Sequence, residues 1–275
     1  MHDWIAELGA QDRVLDLGAG AGSLKGFESP AQVVIVDYDW GAFAQYYHVD
    51  RRDGVAAAGQ ALPFAAGVFD LVICHHVLEH IKELDGVLQE VRRVLKPSGR
   101  MYVSVPNGYG LCDGIYRWVF EGGDHVNRFR REELTRLVET RVGVKLVRWQ
   151  KLYSSFAYLY RLKDLDRAIL PQLPSRLRLI ARVPSRITDS VQGALYVLTR
   201  LADRIAGVDW ALYGWAFYFD RAGGKCEENP PFVNVCLSCG SGHPASELTR
   251  YKRIFYRCLT CRRRGIYFPP FRNAR

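Results

Sequence analysis

Apolar runs and helix-period patterns alternate along the first half of this chain, the pattern of a parallel sheet with helices laid over it. Val14-Leu15-Asp16-Leu17 reads as a buried strand running straight into a turn with glycines at 18, 20 and 22. Residues 32–37, Gln-Val-Val-Ile-Val-Asp, read as a second buried strand, and residues 68–74, Val-Phe-Asp-Leu-Val-Ile-Cys, as another. Between 86 and 96, Val87, Leu88, Val91, Val94 and Leu95 recur at helical spacing, and Pro97-Ser98-Gly99 stops that helix. Residues 100–105 form the next strand, ending at Pro106-Asn107-Gly108. Leu134, Leu137 and Val138 share one face of a helix at about 131–140, and 144–153 reads as a further strand.

The alternation breaks at residue 154. Residues 154–209 read as two or three helices interrupted by Pro171, Pro174 and Pro184; in the last, Ile187, Val191, Leu195, Leu198, Leu201 and Ile205 line one stripe. The aromatic run at 210–219 returns to strand composition. A polar linker at 221–231 leads to a cysteine-bearing tail, and no internal repeat is visible.

Composition agrees with a folded protein: 275 residues, 48% hydrophobic and 12% aromatic, support a sizeable core in one or two domains. No apolar run reaches the ~18 residues of a membrane span. The N-terminus lacks the basic and long apolar regions of a secretory signal. Seven cysteines, four of them in two C-x-x-C pairs, suit a reducing cytoplasm better than a disulfide framework. The net charge of +9 is unevenly placed: residues 1–150 hold 17 Lys/Arg against 20 Asp/Glu, residues 151–209 hold 10 against 5, and residues 221–275 hold 11 against 3. Anionic partners are therefore expected at the additions and not at the first 150 residues.

Glycine is needed where backbone takes φ > 0 or approaches a ligand closely, so the 18–22 turn presents bare N–H groups. A dinucleotide fingerprint asks for G-x-G-x-x-G/A, and its third position here is Ser23. The run Asp16-Leu17-Gly18-Ala19-Gly20-Ala21-Gly22, Asp37 closing the second strand, Leu62-Pro63-Phe64 followed by Phe69-Asp70-Leu71-Val72, and Leu95-Lys96-Pro97-Ser98-Gly99-Arg100 together resemble class I S-adenosylmethionine (SAM) methyltransferases. His76-Val77-Leu78-Glu79-His80-Ile81 resembles the Leu-Glu-His stretch of the methyltransferase type 11 branch that includes quinone-biosynthesis enzymes. The resemblance implies an α/β, Rossmann-like sheet, mostly parallel with an antiparallel last strand. The domains are then a SAM-binding part at 1–153 and 210–220, a helical insertion at 154–209, a linker at 221–231 and a small zinc ribbon at 232–275.

It also implies a cofactor set of Asp16, Gly18, Ala19, Gly20, Gly22, Asp37, Tyr38, Gln60, Ala61 and His75. One carboxylate at Asp37 can accept hydrogen bonds from both ribose hydroxyls. Ala56-Ala57-Ala58-Gly59-Gln60 stands where the family often carries an acid near the adenine, which leaves that role to backbone groups or Gln60.

Methyl transfer from a sulfonium needs alignment first and a base only if the nucleophile must lose a proton. Candidates at strand ends are His75, His76, Asn107 and Tyr109, with Asp124-His125 in a later loop. His125 and His76 are the expected catalytic residues, because imidazole titrates near neutral pH. His80 is expected to be structural, and Cys74 and Cys112 to be small core residues.

Cys236-x-x-Cys239 and Cys258-x-x-Cys261, separated by 18 residues, suit a tetrahedral four-thiolate structural Zn²⁺ site. His243 and Cys226 fall outside that set. Arg250, Lys252, Arg253, Arg257, Arg262, Arg263 and Arg264 interleave with Tyr251, Phe255 and Tyr256, a pattern that suits solvated surface, single-stranded nucleic acid, or another anionic partner. The insertion is a lid, a dimer surface or a peripheral membrane contact. The expected activity is methyl transfer to a small-molecule, lipid-linked or glycan-type acceptor. An RNA methyltransferase gripping substrate with the ribbon and a non-catalytic SAM-binding scaffold remain open beside it, with an NAD-dependent oxidoreductase further off.

Overall fold

Five- to seven-residue runs of β-branched and leucine side chains become the central strands, buried on both faces. The computed structural model describes residues 2–20, 24, 29–39, 53–120, 125–153, 174–226, 233–236, 242–244, 248, 255–259, 262 and 264–266. The chain divides into two units, one of Met1–Val105, Phe129–Trp149 and Trp215–Pro230, the other of Pro106–Arg128, Gln150–Gly214 and Pro231–Arg275.

After a short helix α1 (His2–Ala6), the strands that lie wholly or mostly within the first unit are β1 (Arg13–Leu17), β2 (Gln32–Asp37), β3 (Asp53–Ala56), β4 (Phe69–His75), β5 (Leu95–Pro106), β6 (Lys145–Tyr153) and β7 (Leu212–Asp220). Their order is β3-β2-β1-β4-β5-β7-β6. The strand pairs β1–β2, β1–β4, β2–β3 and β4–β5 are parallel. The last strand is reversed. Near one end of the β5–β7 pair the Asn107 N–H donates to the Tyr213 carbonyl, and near the other the Arg221 N–H donates to the Gly99 carbonyl. Chain numbers thus fall on one strand as they rise on the other. The mixed, mostly parallel sheet expected from the sequence is present.

Helices α2 (Leu84–Val94) and α4 (Arg131–Val142) cover this sheet and pack beside each other. Val87, Leu88, Val91 and Val94 of α2 are buried, as their spacing predicts, and so are Leu134, Val138 and Val142 of α4. Across the pair, Arg141 holds Asp85 through two hydrogen bonds of 2.9 and 3.1 Å. Gly143, at φ +78°, ends α4 in the left-handed conformation that only glycine takes cheaply.

The structure departs from the pattern reading in three places. The fifth strand begins at Leu95 and not at Arg100. Leu95 pairs with Phe69, Leu71 pairs with Arg100, and Pro97-Ser98-Gly99 is absorbed as an irregularity in the ladder. Leu95 is 1% exposed, so burying it outweighs the turn chemistry that follows. The short β3, Asp-Gly-Val-Ala, carries too little apolar signal to be read as a strand, yet pairs with β2 from Val34 to Asp37. Helix α3 (Leu111–Val119) was also not expected.

The second unit contains α3, with Val119 packed against Leu177 of α5 (Ser175–Ala181), and α6 (Ser185–Ala206). Pro174 and Pro184 precede α5 and α6, where a missing N–H costs nothing. Along α6 the expected stripe is divided: Ile187, Val191, Leu198 and Ile205 are exposed, Leu195 and Leu201 are partly buried, and Thr199 beside them is buried. The end of β6 pairs in parallel with β8 (Val233–Val235), which pairs antiparallel with β9 (Gly242–Pro244); β10 (Phe255–Arg257) and β11 (Arg264–Ile266) form a separate hairpin. Among the described residues, no helix is long and apolar enough to cross a membrane.

Candidate functional site

The C-terminal ends of β1 and β2 meet at the glycine turn. Gly18 has φ +66° and Gly20 φ +46°. The Gly18 N–H donates to the Val36 carbonyl at 2.7 Å, which pins the turn to the neighbouring strand. A Cβ on Gly18 would lie 2.7 Å from Val77 Cγ1, so both conformation and space demand glycine there. Ala19 is buried against Ile35.

Asp37 locks the other side. Its Oδ2 accepts from the Gly20 N–H at 2.7 Å and its Oδ1 from the Asp39 N–H at 3.0 Å. Its carbonyl accepts from the Ala57 N–H at 3.0 Å, which ties the loop carrying Gln60 and Ala61 to the end of β2. Gln60 and Ala61 are exposed on that loop, and Tyr38 is 84% exposed beside Asp37. Gly22 lies outside the described residues. The Leu62-Pro63-Phe64 segment is clamped from α2. The Leu62 N–H donates to Glu90 at 2.8 Å, while Arg93 donates to the Leu62 and Phe64 carbonyls and to Glu90 itself. The Arg93 guanidinium holds the Glu90 carboxyl below its usual value, with the Leu62 N–H helping and partial burial opposing.

Carboxylates gather along this edge. Asp16 is fully buried between Ile35 of β2 and Ile73 of β4, and Asp37 and Glu79 are buried too. Burial pushes the Cys74 thiol well up, and the nearby charges of Asp16 and Glu79 push it further. Cys74 is thus the inert core residue its position suggests.

The β4 exit carries the histidines. His75 Nδ1 is 2.6 Å from the Ser104 hydroxyl. His76 takes φ +56°, a left-handed conformation uncommon for a non-glycine residue, and its Nδ1 lies 3.1 Å from Glu79 Oε1. Leu78–His80 is a single 3₁₀ turn in which Glu79 is buried at 1% and His80 is exposed. Glu79 is thus the buried polar residue of the Leu-Glu-His stretch, while His80 keeps its side chain at the surface. Asn107, a candidate above at the end of the fifth strand, is committed to a corner. Its Nδ2 donates to the Asp209 carbonyl and its Oδ1 accepts from the Tyr109 N–H.

In the second unit His125 is held by a carboxylate that sequence reasoning missed. Its Nδ1 lies 2.7 Å from Asp113 Oδ1, while Arg117 Nε donates to Asp113 Oδ2, also at 2.7 Å. The Tyr116 ring stacks on the imidazole at 4.4 Å between centroids. Burial acts to raise the Asp113 carboxyl, but the hydrogen bonds to His125 and Arg117 outweigh it and leave the group below its ordinary value. Asp113 and Arg117 stand at i, i+4 on α3, the one local signal that could have found them. In the tail, Cys236 and Cys258 are buried in one cluster with Leu248 and Tyr256; Cys239 and Cys261 lie outside the described residues.

A parallel sheet ordered 3-2-1-4-5-7-6 with a reversed seventh strand, and a glycine turn hydrogen-bonded to an acid at the end of β2, define the Rossmann-like methyltransferase class. Comparison with known proteins agrees. Residues 15–103 match the family model described as a methyltransferase domain. The biotin biosynthesis bifunctional protein BioHC of Cellvibrio japonicus is 30% identical over 163 residues, covering 57% of this chain and 32% of that protein. A demethylmenaquinone methyltransferase of Corynebacterium urealyticum is 34% identical over 100 residues, covering 36% and 43%. The chain thus spans less than half the length of either relative. In fold it is similar to a crystal structure of a SAM-dependent methyltransferase from Archaeoglobus fulgidus, with a TM-score of 0.51 at 16% identity over 79% of this chain and 88% of that one. Residues 15–103 are a methyltransferase domain of the SAM-dependent kind.

Proposed function

We propose that the whole chain is a SAM-dependent methyltransferase acting on a small-molecule, lipid-linked or glycan-type acceptor. The observation that carries this reading is the closed arrangement of Gly18, Gly20 and Asp37. Each oxygen of Asp37 takes one backbone N–H and keeps capacity for another donor, which suits the two hydroxyls of a ribose. Gly18, Ala19 and Gly20, with Gly22 as the expected fourth member of the turn, would let the cofactor approach the backbone closely, Asp16 would partner its ammonium group, and Tyr38, Gln60, Ala61 and His75 would supply its adenine and sugar contacts. The bound cofactor supplies the activated methyl group, so the protein's task is alignment. His125, held by Asp113, serves as the base where the acceptor carries a proton, with His76 as the second candidate. The name of the C. urealyticum relative, a demethylmenaquinone methyltransferase, supports an acceptor outside nucleic acid.

The four cysteines of the tail are read as a structural Zn²⁺ site. The burial of Cys236 and Cys258 in one cluster fits that donor set, and a metal would substitute for the core that so short a segment lacks.

Calorimetric titration of SAM into the protein and an Asp37→Ala variant tests the cofactor site, with binding expected only in the first. Methyl-labelled SAM incubated with lipid, small-metabolite and RNA fractions tests the acceptor. Label in lipid or small metabolites is the expected result. Label in RNA replaces the acceptor class, and SAM binding without label in any fraction makes the chain a scaffold. A His125→Ala variant with unchanged turnover removes the base assignment.

A further inference from the structure

His243 was set aside on sequence grounds because it belongs to neither C-x-x-C pair. The structure puts it against one of them. Its Nε2 lies 3.2 Å from Cys258 Sγ, and both side chains are buried, His243 at 2% and Cys258 at 0%. Short secondary structure fixes this approach. β8 and β9 form an antiparallel pair with Asn234 opposite His243 and Val235 opposite Gly242, so Cys236 follows the first strand just where the hairpin loop begins. Gly242 is needed in that ladder because a Cβ there would lie 2.7 Å from Val233 Cγ1. Cys258 follows β10, whose Tyr256 meets the His243 ring edge-on at 5.5 Å and accepts at its hydroxyl from Asn234 Nδ2 at 3.1 Å. Asn234, His243, Tyr256, Cys236 and Cys258 therefore form one buried polar group.

An imidazole buried this deeply needs a reason to be there, since burying a polar ring without hydrogen bonds is costly. A zinc-bound cysteine is a thiolate and can only accept, so a nitrogen 3.2 Å from it must carry the proton. We propose that His243 donates its Nε2–H to the Cys258 sulfur and acts as a positioning residue that sets the metal affinity of the tail. This rests on the four-cysteine zinc reading. The hydrogen bond spreads negative charge off Cys258, orients its sulfur and links the metal site to the β8–β9 hairpin through Asn234 and Tyr256. Outer-shell partners of this kind change metal affinity by roughly 10- to 100-fold when removed.

The test uses the full chain and its His243→Ala and His243→Gln variants; the Gln side-chain amide can donate from about the position of Nε2. Zinc content is measured by mass spectrometry, zinc affinity by competition with a chromogenic chelator, and the ligand set by the absorption of the cobalt-substituted protein. The expected result is one zinc per chain in all three, affinity weakened about 10- to 100-fold in His243→Ala and largely restored in His243→Gln. The cobalt spectrum should keep its four-sulfur charge-transfer intensity throughout. Affinity within about twofold of the parent in His243→Ala overturns the positioning role while leaving the zinc reading intact. A four-sulfur spectrum that appears only after removal of His243 makes it a ligand and also overturns the proposal. Parent protein without zinc removes the zinc reading itself. SAM titration of each variant, expected to be unchanged, shows that the first unit remains folded.

Discussion

Replacing Gly18 by alanine tests the geometry of the turn more sharply than any charge change. Two costs are expected. A non-glycine residue at φ +66° costs about 1–2 kcal/mol. The new Cβ would also stand 2.7 and 2.8 Å from the two Cγ atoms of Val77, and crowding of this kind in a packed site costs about 1–3 kcal/mol. Gly18→Ala should therefore lose about 2–5 kcal/mol, a large fraction of a typical domain's stability. Val77→Ala alone removes two buried methyl groups, worth about 1.6 kcal/mol by transfer and about 2 with the cavity. In the double variant the clash is gone but the backbone cost remains, so the total should fall about 1–3 kcal/mol short of the sum of the single effects. Urea denaturation midpoints of the four proteins give the cycle, and SAM calorimetry on the folded ones reports the turn. Strict additivity, or a Gly18→Ala protein within about 0.5 kcal/mol of the parent, refutes the close approach of Val77 to the turn.

Two further outcomes follow from strained and paired groups. His76 sits at φ +56°, so His76→Val should cost about 1–2 kcal/mol more than His76→Asn, because asparagine tolerates this conformation and a β-branched residue does not; equal urea midpoints for the two would place the cost in the side chain instead. The Asp113 carboxyl is held below its ordinary value of 3.8 in the folded state. Its contribution is thus fully present above the unfolded value of about 3.9 and is lost as pH falls through the lowered folded value. The stability difference between the parent and Asp113→Asn, followed by urea denaturation from about pH 5 downward, should shrink below about pH 4, and a difference that stays unchanged through that acid range contradicts the pairing.

What the sequence made legible is what local chemistry writes densely. β1, β2, β4, α2 and α4 each carry three or more apolar residues in a run or at one period, and their cores lie where that pattern puts them. β3 has one valine in four residues and exists because β2 offers an unpaired edge, a tertiary fact with no local trace. Asp113 stands 12 residues before His125, and only the fold brings them to 2.7 Å. The α6 stripe shows the converse limit. Periodicity names its members correctly, yet periodicity describes one helix and is silent about what stands opposite, and Leu198 and Ile205 are 62% and 84% exposed. Cysteine spacing draws attention to four cysteines, while the histidine beside Cys258 has no spacing rule and emerges only from the fold around the β8–β9 pair.

Charge separates the two cofactor classes that share a glycine turn. A dinucleotide brings a pyrophosphate to such a turn, whereas SAM brings an ammonium and a sulfonium. Asp16, Asp37 and Glu79 are 0%, 7% and 1% exposed, and burying an ion costs several kcal/mol unless it is compensated. Asp37 is compensated by two N–H donors and Glu79 Oε1 by His76, whereas Glu79 Oε2 has no hydrogen-bond partner among the described residues. Such an edge repels phosphate and favours a cation at low local dielectric. Asp16→Asn and Glu79→Gln should thus weaken SAM more than S-adenosylhomocysteine, which lacks the sulfonium charge, by about tenfold for each ~1.4 kcal/mol of lost attraction. NAD should show no heat of binding to any of the three proteins. Equal losses for SAM and its demethylated product would assign the acids to the ammonium alone, and NAD binding as tight as SAM would remove the electrostatic argument altogether.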